Sequence, residues 1–462
     1  MFFPLPPWYD AGEYSMAEKN GSGAPEQIDT IREVFQYLHS FTGKTFVIKI
    51  DYKIIEDAHF HILMADIARL YDVGIRIVLI PGANERIDEI LSVYKIENKI
   101  IKGIRAASSE AMPFIKMAAF DVANRLMTSL SAAEINAVIG NWVRAKGMGV
   151  VDGVDYQSAG LVERVLTKEL RSLTDEGFVP ILPCIGWGLT GRPYNISSNE
   201  LAVVAASRLG AEKLFFITAQ DGIFAKGYTV PENISVHPTG RLGNFSLTDL
   251  EAFIKANPGI PMPENLVRAQ RACEAGVERV HILDGRKDGV LLKEIFSNLG
   301  SGTMVYSNRY SGIRAMKPSD ISAVLRVMKP FVDQGILVPR TEETLAESYG
   351  DYIVFEVDGA IHACAALHTF PETFCGEIAG IAVDENYSHL GVGPRLVDYL
   401  CDHARKNNLT QVFVLTTRTT DWFLRLGFEE ADLSALPEKK RALYNLERKS
   451  RILIKDISEE NR

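Results

Sequence analysis

The stretch GEIAGIAVDENYSHLGVGPRLVDYL, residues 376–400, runs from an apolar segment through a polar link to two glycines and a helix-like pattern. Gly391 and Gly393 allow close backbone approach, and the first turn of a following helix carries N–H groups without intrahelical partners. The helix dipole favours negative charge at the same end, so a pyrophosphate fits there. Pro394 suits the first turn, where its missing N–H costs the helix nothing, although it removes one donor to a ligand. A helix that starts after glycine for packing reasons alone would look the same. Leu396, Val397, Leu400 and Ala404 fall on one side, so the helix is expected to pack on a sheet with its start beside the end of EIAGIAV.

The rest of the chain must hold that junction in place. With 462 residues, two or three domains are expected, each able to bury a core. Apolar residues make up 47% and charged ones 24%, as in globular enzymes, and a net charge of -9 speaks against nucleic acid as a partner. The five cysteines (Cys184, Cys273, Cys364, Cys375, Cys401) form no CxxC pair, which points to reduced thiols in a cytoplasm and to neither a disulfide framework nor a metal site. His59 and His61, two apart in a helical pattern, face different sides and read as ordinary surface or packing histidines. No apolar run is long enough for a bilayer, so no membrane association is expected. Residues 1–28 read as a flexible extension from their Pro, Gly and Ser content.

From Thr45, buried strand patterns such as TFVIKI, IRIVLIPG and KLFFITAQDG alternate with amphipathic helices, which predicts parallel βαβ units to about residue 305. SGTMVYSNRYSG has no clear period, and a linker is placed at 306–312. Residues 313–462 change rhythm to helix, hairpin around Asp358-Gly359, strand, helix, strand, helix, strand, a mixed α+β domain.

That element order and the SHLGVG loop resemble the GNAT acetyltransferases, whose loop holds the pyrophosphate of acetyl-CoA. The segments QGILVPRT, CAALHTFPE, GEIAGIAV and FVLTTRTTDWFLRLGFEEADLSALPEKKRALYNLERKSRILIKDI resemble bacterial N-acetylglutamate synthases over most of residues 313–457. In that family the acetyltransferase follows an amino-acid kinase fold, and VDGVDYQSAG, YNISSNELAVVAASRLGAEKL and AGVERVHILDG resemble its recurrent segments. The implied fold is α/β: an amino-acid kinase-like domain (29–305) with a mainly parallel sheet, then an α+β GNAT domain (313–462).

The resemblance implies acetyl transfer from acetyl-CoA, used as a co-substrate with no metal, to the α-amino group of L-glutamate. Glu377 is the implied base and Thr416 a hydrogen-bond donor to the thiolate or a water. By alternation alone Glu377 could equally face solvent. Ile381, Val383, Ser388, His389, Leu390, Gly391, Val392 and Gly393 would hold the CoA, with Ser388 where the family has Arg or Gln. Phe423 stands where the family often supplies a tyrosine as general acid. Val338, Arg340, Arg448 and Ser450 would hold glutamate, since a planar guanidinium binds both oxygens of a carboxylate. His368 replaces the Lys or Tyr of relatives; the lysines and arginine at 439–441 read as solvated surface that could approach CoA phosphates.

An active kinase domain needs glycines and two lysines around phosphates. Here Lys49-Ile50-Asp51-Tyr52, Gly82-Ala83-Asn84, Asn199 and Asn265 depart from that pattern, which implies a regulatory domain without ATP chemistry. The family binds L-arginine as effector and forms homo-oligomers; Lys213 and Glu294 are the implied effector contacts. The alternatives are a bifunctional synthase and kinase, a protein acetyltransferase with a sensing domain, and a non-catalytic arginine sensor.

Overall fold

The computed structural model describes residues 41–231, 234, 236–296, 301–307, 311–357, 360–388, 391–445 and 448–458. The extension at 1–28, residues 308–310 of the expected linker and the Asp358-Gly359 turn lie outside them.

The first sheet has eight strands: β1 (Thr45–Ile50), β2 (Arg76–Pro81), β3 (Ala137–Ile139), β4 (Val179–Ile181), β5 (Lys213–Thr218), β6 (Asn244–Ser246), β7 (Arg279–Asp284) and β8 (Thr303–Tyr306). Their order is β6-β8-β7-β5-β1-β2-β4-β3. All pairs are parallel except β7 with β8. The uninterrupted apolar runs follow from this: β5 is buried along its whole length because helices cover both faces. Helix Ser198–Leu209 is fixed at both ends, by the Ser197 hydroxyl accepting from the Glu200 N–H and by Gly210 at φ 65°. Sequence periodicity did not predict the small closed barrel formed by Val143–Gly147, Ala159–Val165, Ile185–Trp187 and Pro193–Ile196, whose strands are too short and glycine-rich for a clear alternation.

The second sheet has the order β9-β10-β11-β12-β13-β15-β14. Its strands are β9 (Ser311–Ala315), β10 (Tyr352–Val357), β11 (Ala360–Phe370), β12 (Cys375–Val383), β13 (Gln411–Thr416), β14 (Glu429–Ala431) and β15 (Arg451–Asp456). All pairs are antiparallel except β12 with β13. Ser311 and Gly312, placed in the linker by composition, pair with Val357 and Glu356 and so belong to this sheet. Helix Val392–Lys406 buries Val392, Leu396, Val397, Leu400, Cys401 and Ala404 against one face. Helix Ile321–Asp333 buries Val324, Val327 and Met328 in a separate apolar cluster with Tyr352, Val354 and Ala366.

Among the described residues no helix is long and apolar enough to cross a membrane, no group of three or more His, Cys, Asp or Glu could hold a metal ion, and all five cysteines are free and buried.

Candidate active site

A fork between two strands organises the second sheet. β12 and β13 pair only at Cys375–Gln411, Gly376–Val412 and Glu377–Phe413. Beyond Glu377 the strands part, while β13 stays paired to β15 as far as Thr416–Arg451. On its other side β12 faces β11, where Ala379 pairs with Ala366 and Ala382 with Cys364, so Gly380 and Ile381 share one partner position. This bulge sets Gly380 at φ +61° and bends β12 at the fork. The fork edge of Ile378–Val383 has no ladder to β13 among the described residues, which leaves backbone N–H groups to polarise a carbonyl.

Glu377 stands at the last paired rung and is 6% exposed. The strand partner on one side is Phe413 and on the other His368. His368 is engaged elsewhere, with Nδ1 2.7 Å from an Asp351 carboxylate oxygen. The Glu377 carboxylate instead meets the Lys440 ammonium at 2.7 Å. The reading of 439–441 as solvated surface is therefore corrected at Lys440, while Lys439 does form an exposed pair with Glu372 at 2.6 Å. Periodicity could not find Lys440, because its partner is distant in sequence.

The two glycines of the junction are required for different reasons. Gly391 precedes helix Val392–Lys406 at φ +66°, and a Cβ there would meet nothing within 4 Å. At Gly393 a Cβ would come to 3.0 Å from the Trp422 ring. No side chain caps the helix, so its first N–H groups remain available to an anion. Ile381 and Val383 lie half-buried on the unpaired arm of β12. Ser388 ends a short helix, Glu385–Ser388; His389 and Leu390 lie outside the described residues.

Thr416 is buried at the tip of the other arm. Its hydroxyl accepts from the Thr419 N–H at 3.0 Å and lies 2.7 Å from the Thr419 hydroxyl, so it shapes the turn into the next helix. Phe423 is 6% exposed and packs edge-on to Trp422 and Phe428, a core role.

The expected acceptor residues come from two segments that the structure joins. Arg448 Nη2 donates to the Ile336 carbonyl at 2.6 Å, next to the segment with exposed Val338 and half-buried Arg340. Arg340 bonds the Tyr352 phenol, whose pKa is raised by burial against the opposing pull of that guanidinium. The Tyr444 hydroxyl donates to the Ser450 carbonyl at 2.5 Å. Tyr352 and Tyr444 carried no sequence signal that separated them from core aromatics.

The first sheet holds a second polar cluster. Lys213, Arg279 and His281 are almost wholly buried on β5 and β7, and Glu294 reaches them from helix Val290–Phe296. Lys213 pairs in register with Arg279, and Phe215 with His281, whose rings stack at 4.8 Å. The Lys213 ammonium lies 4.5 Å from the centroid of the Phe41 ring, with the Arg279 guanidinium at 5.1 Å. Glu294 accepts from the Ser301 N–H and from the Gly302 N–H at 3.2 Å, and its other oxygen meets His281 Nδ1 at 2.7 Å. Burial pushes the Glu294 carboxyl up, but His281, the Ser301 N–H and Lys213 together hold it below its ordinary range. Burial lowers the His281 imidazole, so a neutral ring donates to an ionised Glu294. The expected effector contacts Lys213 and Glu294 both lie in this cluster; Arg279 and His281 join it through the β5–β7 register, which the sequence alone does not give.

At the C-terminal end of β1, the Lys49 ammonium touches the Asp51 carboxylate. Burial, and after it Arg268, pulls the Lys49 ammonium down to about 7, with Glu85 opposing. Asn265 accepts from Arg268 at 3.1 Å. A carboxylate thus sits on the lysine that would face a phosphate.

Comparison with known proteins bears on both halves. The chain matches the amino acid kinase family over residues 44–244 and the acetyltransferase (GNAT) family over residues 322–428. It is 34% identical to the amino-acid acetyltransferase of Edwardsiella ictaluri (strain 93-146), across 94% of this chain and 99% of that protein. Identity to the Escherichia coli (strain K12) protein of the same name is 32%, across 94% and 98%. The crystal structure of N-acetylglutamate synthase from Neisseria gonorrhoeae complexed with coenzyme A and L-arginine superposes with a TM-score of 0.77 at 30% identity, covering 93% of this chain and 99% of that one. The same synthase complexed with coenzyme A and N-acetyl-glutamate gives 0.57 at 31% identity, with the same coverage.

Proposed function

The chain belongs to the amino-acid acetyltransferase family, and on that premise we propose how its residues carry out the reaction. It is an N-acetylglutamate synthase: it moves the acetyl group of acetyl-CoA to the α-amino group of L-glutamate, the first step of arginine biosynthesis. The observation that carries the mechanism is the fork: a buried carboxylate stands where β12 and β13 part, strand N–H groups without a ladder to β13 follow it, and an uncapped helix begins after β12.

CoA pyrophosphate sits at the start of helix Val392–Lys406 and the thioester reaches into the fork. Arg340 and Arg448 bind the two carboxylates of glutamate, with the Val338 N–H and Ser450 beside them. Glu377 takes the proton from the α-ammonium, directly or through water, and the free amine attacks the thioester carbonyl. N–H groups around Gly380 and Ile381 hold the oxyanion. On collapse the thiolate leaves with a hydrogen bond from Thr416. A thiol pKa of about 8.5 makes this leaving group stable enough to take its proton from water, so Phe423 in place of an acid is no obstacle.

The kinase-like part has no phosphoryl transfer, supported by the Lys49–Asp51 pair, and it binds L-arginine at Lys213, His281 and Glu294. Chain division falls between the end of β8 at Tyr306 and the start of β9 at Ser311. Exposed Val93, Tyr94 and Ile100 support homo-oligomer formation, and five free thiols support a cytoplasmic setting.

A CoA-release assay across free amino acids tests this function. Turnover with glutamate and none with other amino acids is expected; release of CoA that is indifferent to the amino acid supplied would reject it.

A further inference from the structure

We propose that Lys440 occupies the acceptor-nitrogen position on Glu377 in the empty site and that the α-ammonium of glutamate displaces it. The proposal rests on the reading of Glu377 as the base.

Glu377 is nearly enclosed, and a buried carboxylate without a counter-charge is strongly disfavoured. Its strand neighbours do not supply one, since Phe413 is apolar and His368 is engaged with Asp351. Lys440 does, at 2.7 Å, with its side chain still 24% exposed. Proton transfer requires the acceptor nitrogen within hydrogen-bond reach of the same carboxylate. The two ammonium groups carry the same charge and the same three donors, so they compete for one place.

The surroundings of Lys440 suit a group that leaves. It projects from the short helix Glu438–Ala442, which has no side-chain cap. The contacts that anchor this helix are peripheral: Arg441 Nη2 on the Ser434 and Leu436 carbonyls at 3.0 and 2.9 Å, and the exposed Lys439–Glu372 pair. A four-carbon stem lets the ammonium swing to water without moving the backbone. The segment continues through Tyr444, bonded to the Ser450 carbonyl, to Arg448, so departure of Lys440 and capture of the acceptor carboxylates involve one stretch of chain. Glutamate binding thus exchanges one ion pair on Glu377 for another, and the lysine keeps the base from standing unpaired between turnovers.

Steady-state CoA release by the full chain tests this. In Lys440→Met the competitor is gone, so KM for glutamate falls by about five- to tenfold, a larger change than in kcat. Lys440→Arg keeps a cation on Glu377 and retains a KM near that of the parent protein. A second neutral variant, Lys440→Gln, guards against misfolding of the first and has the same outcome. A KM that is unchanged or raised in both neutral variants, with normal melting, overturns the displacement. Glu377→Gln separates the two ideas: undiminished kcat there rejects the base itself, whereas lost kcat together with an unmoved KM in the lysine variants rejects the displacement alone.

Discussion

Replacing Arg448 with alanine removes a half-buried guanidinium that the Ile336 carbonyl already orients at 2.6 Å. In the proposed complex its remaining donors face a carboxylate of glutamate. A hydrogen bond to a charged partner contributes about 1.5–3 kcal/mol. Since about 1.4 kcal/mol is a factor of ten, KM for glutamate should rise about 10- to 150-fold. The loss to folding is smaller, about 1 kcal/mol, because water replaces the guanidinium at the half-buried Ile336 carbonyl. Thiol detection of released CoA over a glutamate series separates these effects, with acetyl-CoA saturating and then varied at high glutamate. The expected result is a raised glutamate KM, an acetyl-CoA KM within about twofold of the parent, and only a small change in melting temperature. Arg448→Lys should recover part of the loss, because it restores the charge without the planar fork. Unchanged glutamate saturation in Arg448→Ala would show that the acceptor is held elsewhere and would remove the arginine pair from the site.

Gly393→Ala should weaken acetyl-CoA binding more than Gly391→Ala, since only the former drives a Cβ to 3.0 Å from Trp422, while the latter adds backbone strain of about 1 kcal/mol; equal KM values for acetyl-CoA in the two variants would contradict this. Stability should fall below neutral pH, as followed by thermal melting. The unfolded chain binds a proton at the ordinary histidine value of 6.5 while buried His281 stays neutral, so stability drops as pH passes below that value. Glu294, ordinarily at 4.5 but held lower when folded, adds stability that is complete above that value and lost as pH falls through its folded pKa. His281→Gln should flatten the first part of the slope and Glu294→Gln the second. Lys49 is pulled by burial, and then by Arg268, down to about 7 against an ordinary 10.5. Between those values the unfolded chain binds more protons, so Lys49 makes stability rise with pH across that window; Lys49→Met should remove that rise, and an unchanged melting profile would refute the shift.

How far the sequence reached depends on how local each feature is. The runs TFVIKI and KLFFIT show parallel buried strands because all their residues except the half-buried Thr45 point into a covered layer. The glycine junction is legible for the same reason: a positive φ at Gly391 and a helix start after it are decided within a few residues. The small barrel was not legible, because strands of three to seven residues interrupted by Gly147, Gly160 and Gly186 give too short a period. Asn265, read as a lost lysine, was legible only against a family pattern, and its contact with Arg268 has no local signature.

Glu377 shows where local pattern stops and tertiary structure begins. Alternation along GEIAGIAV allows the carboxylate either face, and nothing in those eight residues chooses between solvent and a buried site. The choice is made by where β12 stops pairing with β13, and that depends on the bulge at Gly380 and Ile381, on the length of β13, and on β15 holding Thr416 in place. Once the strands part at Glu377, its side chain is enclosed and must find a cation. Lys440 supplies it from a segment that composition marks as solvent-facing. A carboxylate that is buried, paired with a displaceable ammonium, and placed where a sheet opens is suited to receive an amine and remove its proton, and no shorter stretch of the chain contains all three conditions.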